Sequence, residues 1–215
     1  MQLLERDSSL YVLGSALDRV SRGTGGIALV SGEAGIGKTS LIRQFAASRG
    51  SAVCVLWGGC EALFAPHLLA PLHDIARQIG GDFPAAIASA ANRHDIFNAA
   101  LDRLARLPAP AVMVIEDVHW ADEATLDFVK FLGRRLQRLG VLLVVSYRDD
   151  EVSDRHPLRS VVGDLTAGSV SRIRLSSLSR AAVEMLAQGA GRTSDGLYEM
   201  TCGNPFFVTE VLAAP

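Results

Sequence analysis

Gly32, Glu33, Ala34, Gly35, Ile36, Gly37, Lys38 and Thr39 follow one another as GEAGIGKT and fit the pattern G-x-x-x-x-G-K-[ST]. That pattern has a chemical meaning when it joins the end of a strand to the start of a helix. Glycines at 32, 35 and 37 let the backbone curl until its N–H groups converge on phosphate oxygens. The helix that follows, with Ser40 in its opening turn, adds unpaired N–H groups and the positive end of its dipole. Lys38 supplies a point charge for the β- and γ-oxygens of a nucleotide, and the Thr39 hydroxyl is a ligand for magnesium. The competing account is a glycine-rich turn that carries a lysine by chance, and the apolar run before it and the helical pattern after it weigh against that.

Such a loop needs a carboxylate at the tip of a neighbouring strand to hold the magnesium shell. The segment AVMVIED offers Glu116 and Asp117. Glu116 is expected to join Thr39 at the metal by orienting its bound water, and Asp117 to polarise the attacking water as general base. The two acids could also merely end a strand and face solvent. Asp122 reads as a helix N-cap or as a catalytic group, and His119 and Trp120 as pocket or packing residues. Arg148, just past another apolar run, is placed either to sense a γ-phosphate or to pair with Asp149 or Asp150 at the surface. Ligands in open α/β sheets gather at the carboxyl ends of the strands, where these segments would converge.

The elements that must position these groups are legible in part. Residues 27–30, 111–115 and 141–145 are apolar and rich in β-branched side chains, which suits strands buried on both faces of a parallel sheet. Weaker strands are expected at 52–57 and 171–175. Helical periodicity runs through 39–48, through 97–107 until Pro108 stops it, and through 123–139 between Asp122 and Gly140. Alternating strands and helices give an α/β layered fold with right-handed crossovers. Residues 58–92 read as an amphipathic helix packed on the sheet, or as a pocket wall with His67 and His73. Helical patterns at 180–188 and 194–200, the turn CGNP and an apolar helix from Phe206 set 177–215 apart as a helical annex to a core at 1–176. Phe206, Phe207, Val211 and Leu212 so close to the last residue are what a domain cut from a longer protein would show.

With 215 residues, 49% of them hydrophobic, the chain can bury one core and a small appendage. A net charge of −2 leaves no basic footprint for nucleic acid, and Arg134, Arg135 and Arg138 read as the solvated face of a helix. Cys54, Cys60 and Cys202 form neither a disulfide framework nor a metal-ligand pattern; Cys54 is expected to be buried in its strand. The first residues lack the basic start and apolar run of a signal peptide, and the apolar stretches are too short for a membrane span. A soluble, cytoplasmic protein with no membrane partner is expected.

In their order and spacing, GEAGIGKTSLIRQFA, VIEDVHWADEATLDFVKFL and CGNPFFVTEVL resemble the ATPase domain of large LuxR-type transcriptional regulators. Those regulators belong to the STAND class of signal-transducing P-loop ATPases, relatives of AAA+ proteins. LLERDSSLYVL is similar to the N-terminal nucleotide-contact segment of the same family. The resemblance implies a P-loop NTPase with a five-stranded parallel sheet in the order 5-1-4-3-2, with ATP and Mg2+ as cofactors. It implies Arg6 near the adenine edge, Pro205 closing over the base, and Arg148 reading the γ-phosphate. Relatives often carry glycine where this chain has Glu5. AAA+ motors also run Asp then Glu where this chain runs Glu116 then Asp117, and the shorter second acid suits slow hydrolysis and a switch. The implied partners are ATP and ADP, other domains of a longer regulator, and further copies in nucleotide-dependent self-association. The family's DNA-binding module lies outside these segments, so direct DNA binding by this chain is not expected. A small-molecule kinase on the same loop, or a module that holds nucleotide without turnover, would share the loop chemistry.

Overall fold

Strands apolar on both faces have to be covered on both faces, and that requirement organises the chain. The computed structural model describes residues 3–63, 67–165 and 170–214. β1 (Gly26–Ser31), β2 (Cys54–Gly59), β3 (Ala111–Glu116), β4 (Val141–Tyr147) and β5 (Val170–Arg174) form one parallel sheet in the order β2-β3-β4-β1-β5. Counted from the other edge, this is the expected order 5-1-4-3-2. The three central strands are β3, β4 and β1, the ones with unbroken apolar runs, and only the tips Glu116 and Tyr147 leave the buried layer. The edge strand β5 reads VSRIR, with Arg172 and Arg174 exposed and Ile173 buried, the charged character that protects a sheet edge.

Strand alternation divides the core. Ile27, Leu29, Met113, Ile115, Leu143 and Val145 face one side, covered by α3 (Ala70–Ile79), α4 (Phe83–Ser89), α5 (Arg93–Ala105), α6 (Glu123–Gly133) and α7 (Pro157–Asp164). Ala28, Val30, Val112, Val114, Leu142 and Val144 face the other, covered by α1 (Asp7–Ser21) and α2 (Lys38–Ala47). A third apolar cluster joins α8 (Arg180–Gly189), α9 (Leu197–Thr201) and α10 (Pro205–Ala213) around Val183 and Val208, with Leu4 from the N-terminal segment packed against it. Among the described residues no helix is long and apolar enough to cross a membrane.

Several boundaries differ from expectation for identifiable reasons. β2 begins at Cys54, after a 3-10 turn at Gly50–Ala52. Cys54 is therefore only half-buried, and Cys60 is the buried cysteine, its thiol pushed up to about 12 chiefly by desolvation. α6 stops at Gly133 instead of running to 139, and Leu136–Arg138 tighten into a 3-10 turn. There Gly25 passes so close that a Cβ on it would meet the Leu136 carbonyl oxygen at 2.0 Å. The helix expected across 58–92 is two helices, broken at Gly80 and Gly81 with φ of +69° and +65°, and residues 64–66 of that stretch lie outside the described residues. α1 has no counterpart among the expected elements. Arg134, Arg135 and Arg138 are exposed as expected, Arg135 stacking on Phe131 at 3.8 Å.

Candidate functional site

The loop between β1 and α2 is built as its glycines require. Gly32, Gly35 and Gly37 have φ of +145°, +73° and +96°, and Lys38 is the first residue of α2. Ile36 is buried in the core while Glu33, Ala34 and Gly35 stay exposed, so one apolar side chain anchors an otherwise open loop. The Lys38 ammonium is buried and donates to the carbonyl oxygens of Gly32 at 2.7 Å and Glu33 at 2.8 Å. Burial lowers its pKa, and the nearby Asp117 charge opposes that shift.

A cavity of about 330 Å³ opens in front of this loop. Its polar wall is Gly35 through Ser40 with Asp117 and Arg148; its apolar wall is Leu3, Leu4, Leu178, Leu186, Pro205 and Phe206. Arg6 also lines it, but its guanidinium donates to the main-chain oxygens of Ile36 at 3.2 Å and Ser176 at 2.9 Å. Those bonds make it a brace between the loop and the segment leading to α8. Glu5 explains the missing glycine. It takes φ +56°, and its carboxylate accepts from the Ser179 N–H at 2.9 Å and hydroxyl at 2.5 Å, at the N-terminus of α8. Those bonds hold the Glu5 carboxyl below its ordinary value.

The two adjacent acids part company at the tip of β3. Asp117 lines the cavity at φ +54°, its N–H donating to the Ser146 hydroxyl at 3.1 Å. Burial, then the adjacent Glu116 charge, pushes its carboxyl above the usual range, against Lys38 and Arg148. Glu116 stands outside that wall: the Trp57 indole donates to its Oε2 at 2.8 Å, and its buried Oε1 has no partner. Asp117 shares the cavity wall with Thr39, and Glu116 lies beside it outside that wall. The Thr39 hydroxyl, the Asp117 carboxylate and the orphaned Glu116 oxygen are hard oxygen donors of the kind magnesium takes, so these residues fit that ion.

Arg148 lines the cavity and pairs with Glu151 at 2.5 Å, not with Asp149 or Asp150; Asp149 pairs instead with Arg174 at 2.8 Å. His119 is buried and accepts the Arg148 N–H at 3.4 Å, and its pKa is lowered to about 4 by burial, with Glu151 opposing. Asp122 is the N-cap of α6, accepting from Thr125 N–H at 3.1 Å, and it also holds Leu69 N–H at 3.1 Å. His67 and His73 share a separate groove with Asp74 and Arg77, and none of its lining belongs to the phosphate cavity.

Residues 2–145 match the family model described as AAA ATPase domain. The chain belongs to that family. It is similar to an uncharacterised protein of Rhizobium meliloti, 26% identical in an alignment 196 residues long, which covers 71% of this chain and 19% of that protein. A STAND protein with a tetratricopeptide repeat sensor from Pyrococcus horikoshii superposes with a TM-score of 0.61 at 20% identity, over 99% of this chain and 30% of that one. The ORC1 protein of Aeropyrum pernix, solved in complex with DNA, gives 0.64 at 15% identity, over 98% and 59%. The AAA ATPase domain thus spans about a fifth of the first protein and under a third of the second, and the structural likenesses establish the fold.

In this AAA ATPase domain the last helix is fastened to the phosphate loop. Pro205 lines the cavity as the first residue of α10. Asn204 caps that helix by accepting from Phe206 N–H at 3.1 Å, and its amide donates to the Ala34 oxygen at 2.9 Å. Phe206 N–H donates to the Gly35 oxygen at 3.2 Å, and a Cβ on Gly35 would lie 2.7 Å from the Phe206 Cβ. Residue type alone points to Asn204, since Asn before Pro is a helix-start signature. Ser146 shows only as the first polar residue after an apolar run. Trp57 and Glu151 carry no sequence signal, because their partners are set by strand register and by a turn. Asn204→Ala is expected to cost about 1 kcal/mol as a lost cap and to speed amide exchange in α10 but not in β1. Hydrogen-exchange mass spectrometry that finds α10 unchanged would show that the tether carries no weight.

Proposed function

We propose that this AAA ATPase domain is a magnesium-dependent ATP-binding switch that hydrolyses its nucleotide slowly and belongs to a longer STAND-type transcriptional regulator of the LuxR kind. The carrying observation is a single cavity with a charged phosphate end and an apolar end, closed by a helix hydrogen-bonded to the phosphate loop itself. A nucleoside triphosphate has the same two-ended chemistry. The loop N–H groups, the α2 dipole and Lys38 take the phosphates, and the apolar wall from Leu3 to Pro205 takes the base. Thr39, Asp117 and Glu116 would hold magnesium, which when bound neutralises charge on the β- and γ-oxygens. Attack of water on the γ-phosphorus expels ADP and yields phosphate, with a carboxylate taking the water's proton; Asp117 is the acid at the wall for that task.

The switch reading follows from the fastening of α10. A ligand that reorders the loop at Ala34 and Gly35 must act on the bonds to Asn204 and Phe206, so triphosphate and diphosphate forms favour different placements of α8–α10. Other domains of the regulator and further copies of the chain are the partners that would read this placement, in the cytoplasm. DNA binding belongs to those other domains. Calorimetric titration with ATP, ADP and GTP, each with and without magnesium, tests the proposal. Magnesium-dependent ATP binding with weaker GTP binding is the expected outcome, and absence of binding by all three nucleotides would overturn it.

A further inference from the structure

We infer, on the footing of the nucleotide site proposed above, that Glu151 is a positioning residue for Arg148 and serves as an internal counter-anion that a terminal phosphate replaces. Lys38 and Arg148 are the cations of the polar wall, and Lys38 is already tied to loop carbonyls. Arg148 is held differently. One guanidinium nitrogen donates to Glu151 Oε1 at 2.5 Å, and the guanidinium lies over the Trp120 ring at 4.6 Å from its centroid. Glu151 is itself aimed by its surroundings: its Oε2 accepts from the Trp120 indole N–H at 3.2 Å and faces His119 Nε2 at 3.6 Å. Trp120 therefore touches both members of the ion pair and closes a ring of three residues. His119 completes the cage. The Arg148 N–H is directed at Nδ1, which leaves the imidazole proton on Nε2, a buried nitrogen with no hydrogen-bond partner that points toward Glu151.

Among the described residues that line the cavity, Arg6 and Lys38 donate to main-chain oxygens, and this cage places a carboxylate on the remaining cation, Arg148. The pair is partly solvated, with side-chain exposures of 27% for Arg148 and 38% for Glu151, so it is weak enough to be exchanged. A γ-phosphate carries more charge and more acceptor oxygens than one carboxylate and can take the guanidinium in its place. A diphosphate ends short of that position and leaves the pair intact. Glu151 therefore lowers affinity for the triphosphate selectively, and it keeps Arg148 parked at the rim, ready to move.

The test is Glu151→Gln, which keeps shape and an acceptor for the Trp120 indole while removing the charge. Calorimetry with magnesium is expected to show ATP affinity rising about fivefold and ADP affinity changing less than about twofold. Glu151→Asp, which restores the charge, should return the ratio toward the wild-type value. In an Arg148→Ala background the Glu151→Gln effect should vanish, as a double-mutant cycle requires for a group acting through another. Equal changes for ATP and ADP, or an effect that persists without Arg148, would overturn the role. If the wild type binds neither nucleotide, the site and the role of Glu151 fall together. If the wild type binds ATP and Lys38→Ala does not, the site stands and the ATP-to-ADP ratio alone decides Glu151.

Discussion

Lys38→Ala is expected to abolish magnesium-ATP binding at nucleotide concentrations that saturate the wild type, a loss of about two to three orders of magnitude in affinity. The size follows from what the ammonium does. It is buried at the first turn of α2, and burial already disfavours its charge. Held by two loop carbonyls, it is preorganised for an anion rather than free to wander. With two of its three donors on loop carbonyls, the ammonium keeps one N–H for a phosphate oxygen, at about 1.5–3 kcal/mol, and the attraction of its charge for the β- and γ-oxygens supplies the rest of the expected loss. The variant also leaves the buried Gly32 oxygen and the part-buried Glu33 oxygen without their donor, a local loss of about 1–3 kcal/mol at the loop that leaves the two apolar layers of the sheet intact. Circular dichroism should therefore report a folded protein, and calorimetry that finds ATP binding unchanged would remove the phosphate loop from the site.

The parts of this molecule legible in the sequence are those whose cause is local. The loop is one contiguous segment whose glycines need positive φ, and each glycine has it. β1, β3 and β4 declare themselves because a strand covered on both faces must be apolar throughout. Asp117 and Arg148 declare themselves as polar residues at the tips of such strands. Sheet order is a different matter: nothing in the periodicity of a strand says which neighbour it takes, and the order came with the family resemblance. The end of α6 is set by the passage of Gly25 against Leu136, a contact between segments more than a hundred residues apart. The fine structure of the site has the same non-local origin. Glu116 meets Trp57 because β2 and β3 pair with Gly59 opposite Glu116, and Glu5 meets Ser179 because the N-terminal segment passes beneath α8. Residue type marks such groups as candidates, but register decides which of two adjacent acids lines the cavity.

That choice between the acids has a measurable consequence. Asp117→Asn is expected to reduce magnesium-dependent phosphate release by about two to four orders of magnitude, the range of a lost general base. Glu116→Gln is expected to cost about tenfold, since Gln keeps an acceptor for the Trp57 indole and the residue stands outside the cavity wall. In the metal-free protein, burial together with the Glu116 charge raises the Asp117 carboxyl, and that shift gives stability a pH dependence of its own. The stability change separates lost catalysis from lost folding. A carboxyl whose folded-state pKa is raised destabilises the protein when ionised, at pH above that raised value, and its stability improves as pH falls through it. Replacing it by a neutral amide should therefore raise Tm near neutral pH, and Asn tolerates the left-handed backbone at this position as well as Asp does. A variant that is more stable and inactive locates the chemistry at Asp117. If Glu116→Gln were instead the variant that lost turnover and magnesium dependence while Asp117→Asn kept both, the orphaned Glu116 oxygen would be the essential ligand, and Asp117 would be only the strained hinge that turns β3 toward Trp120.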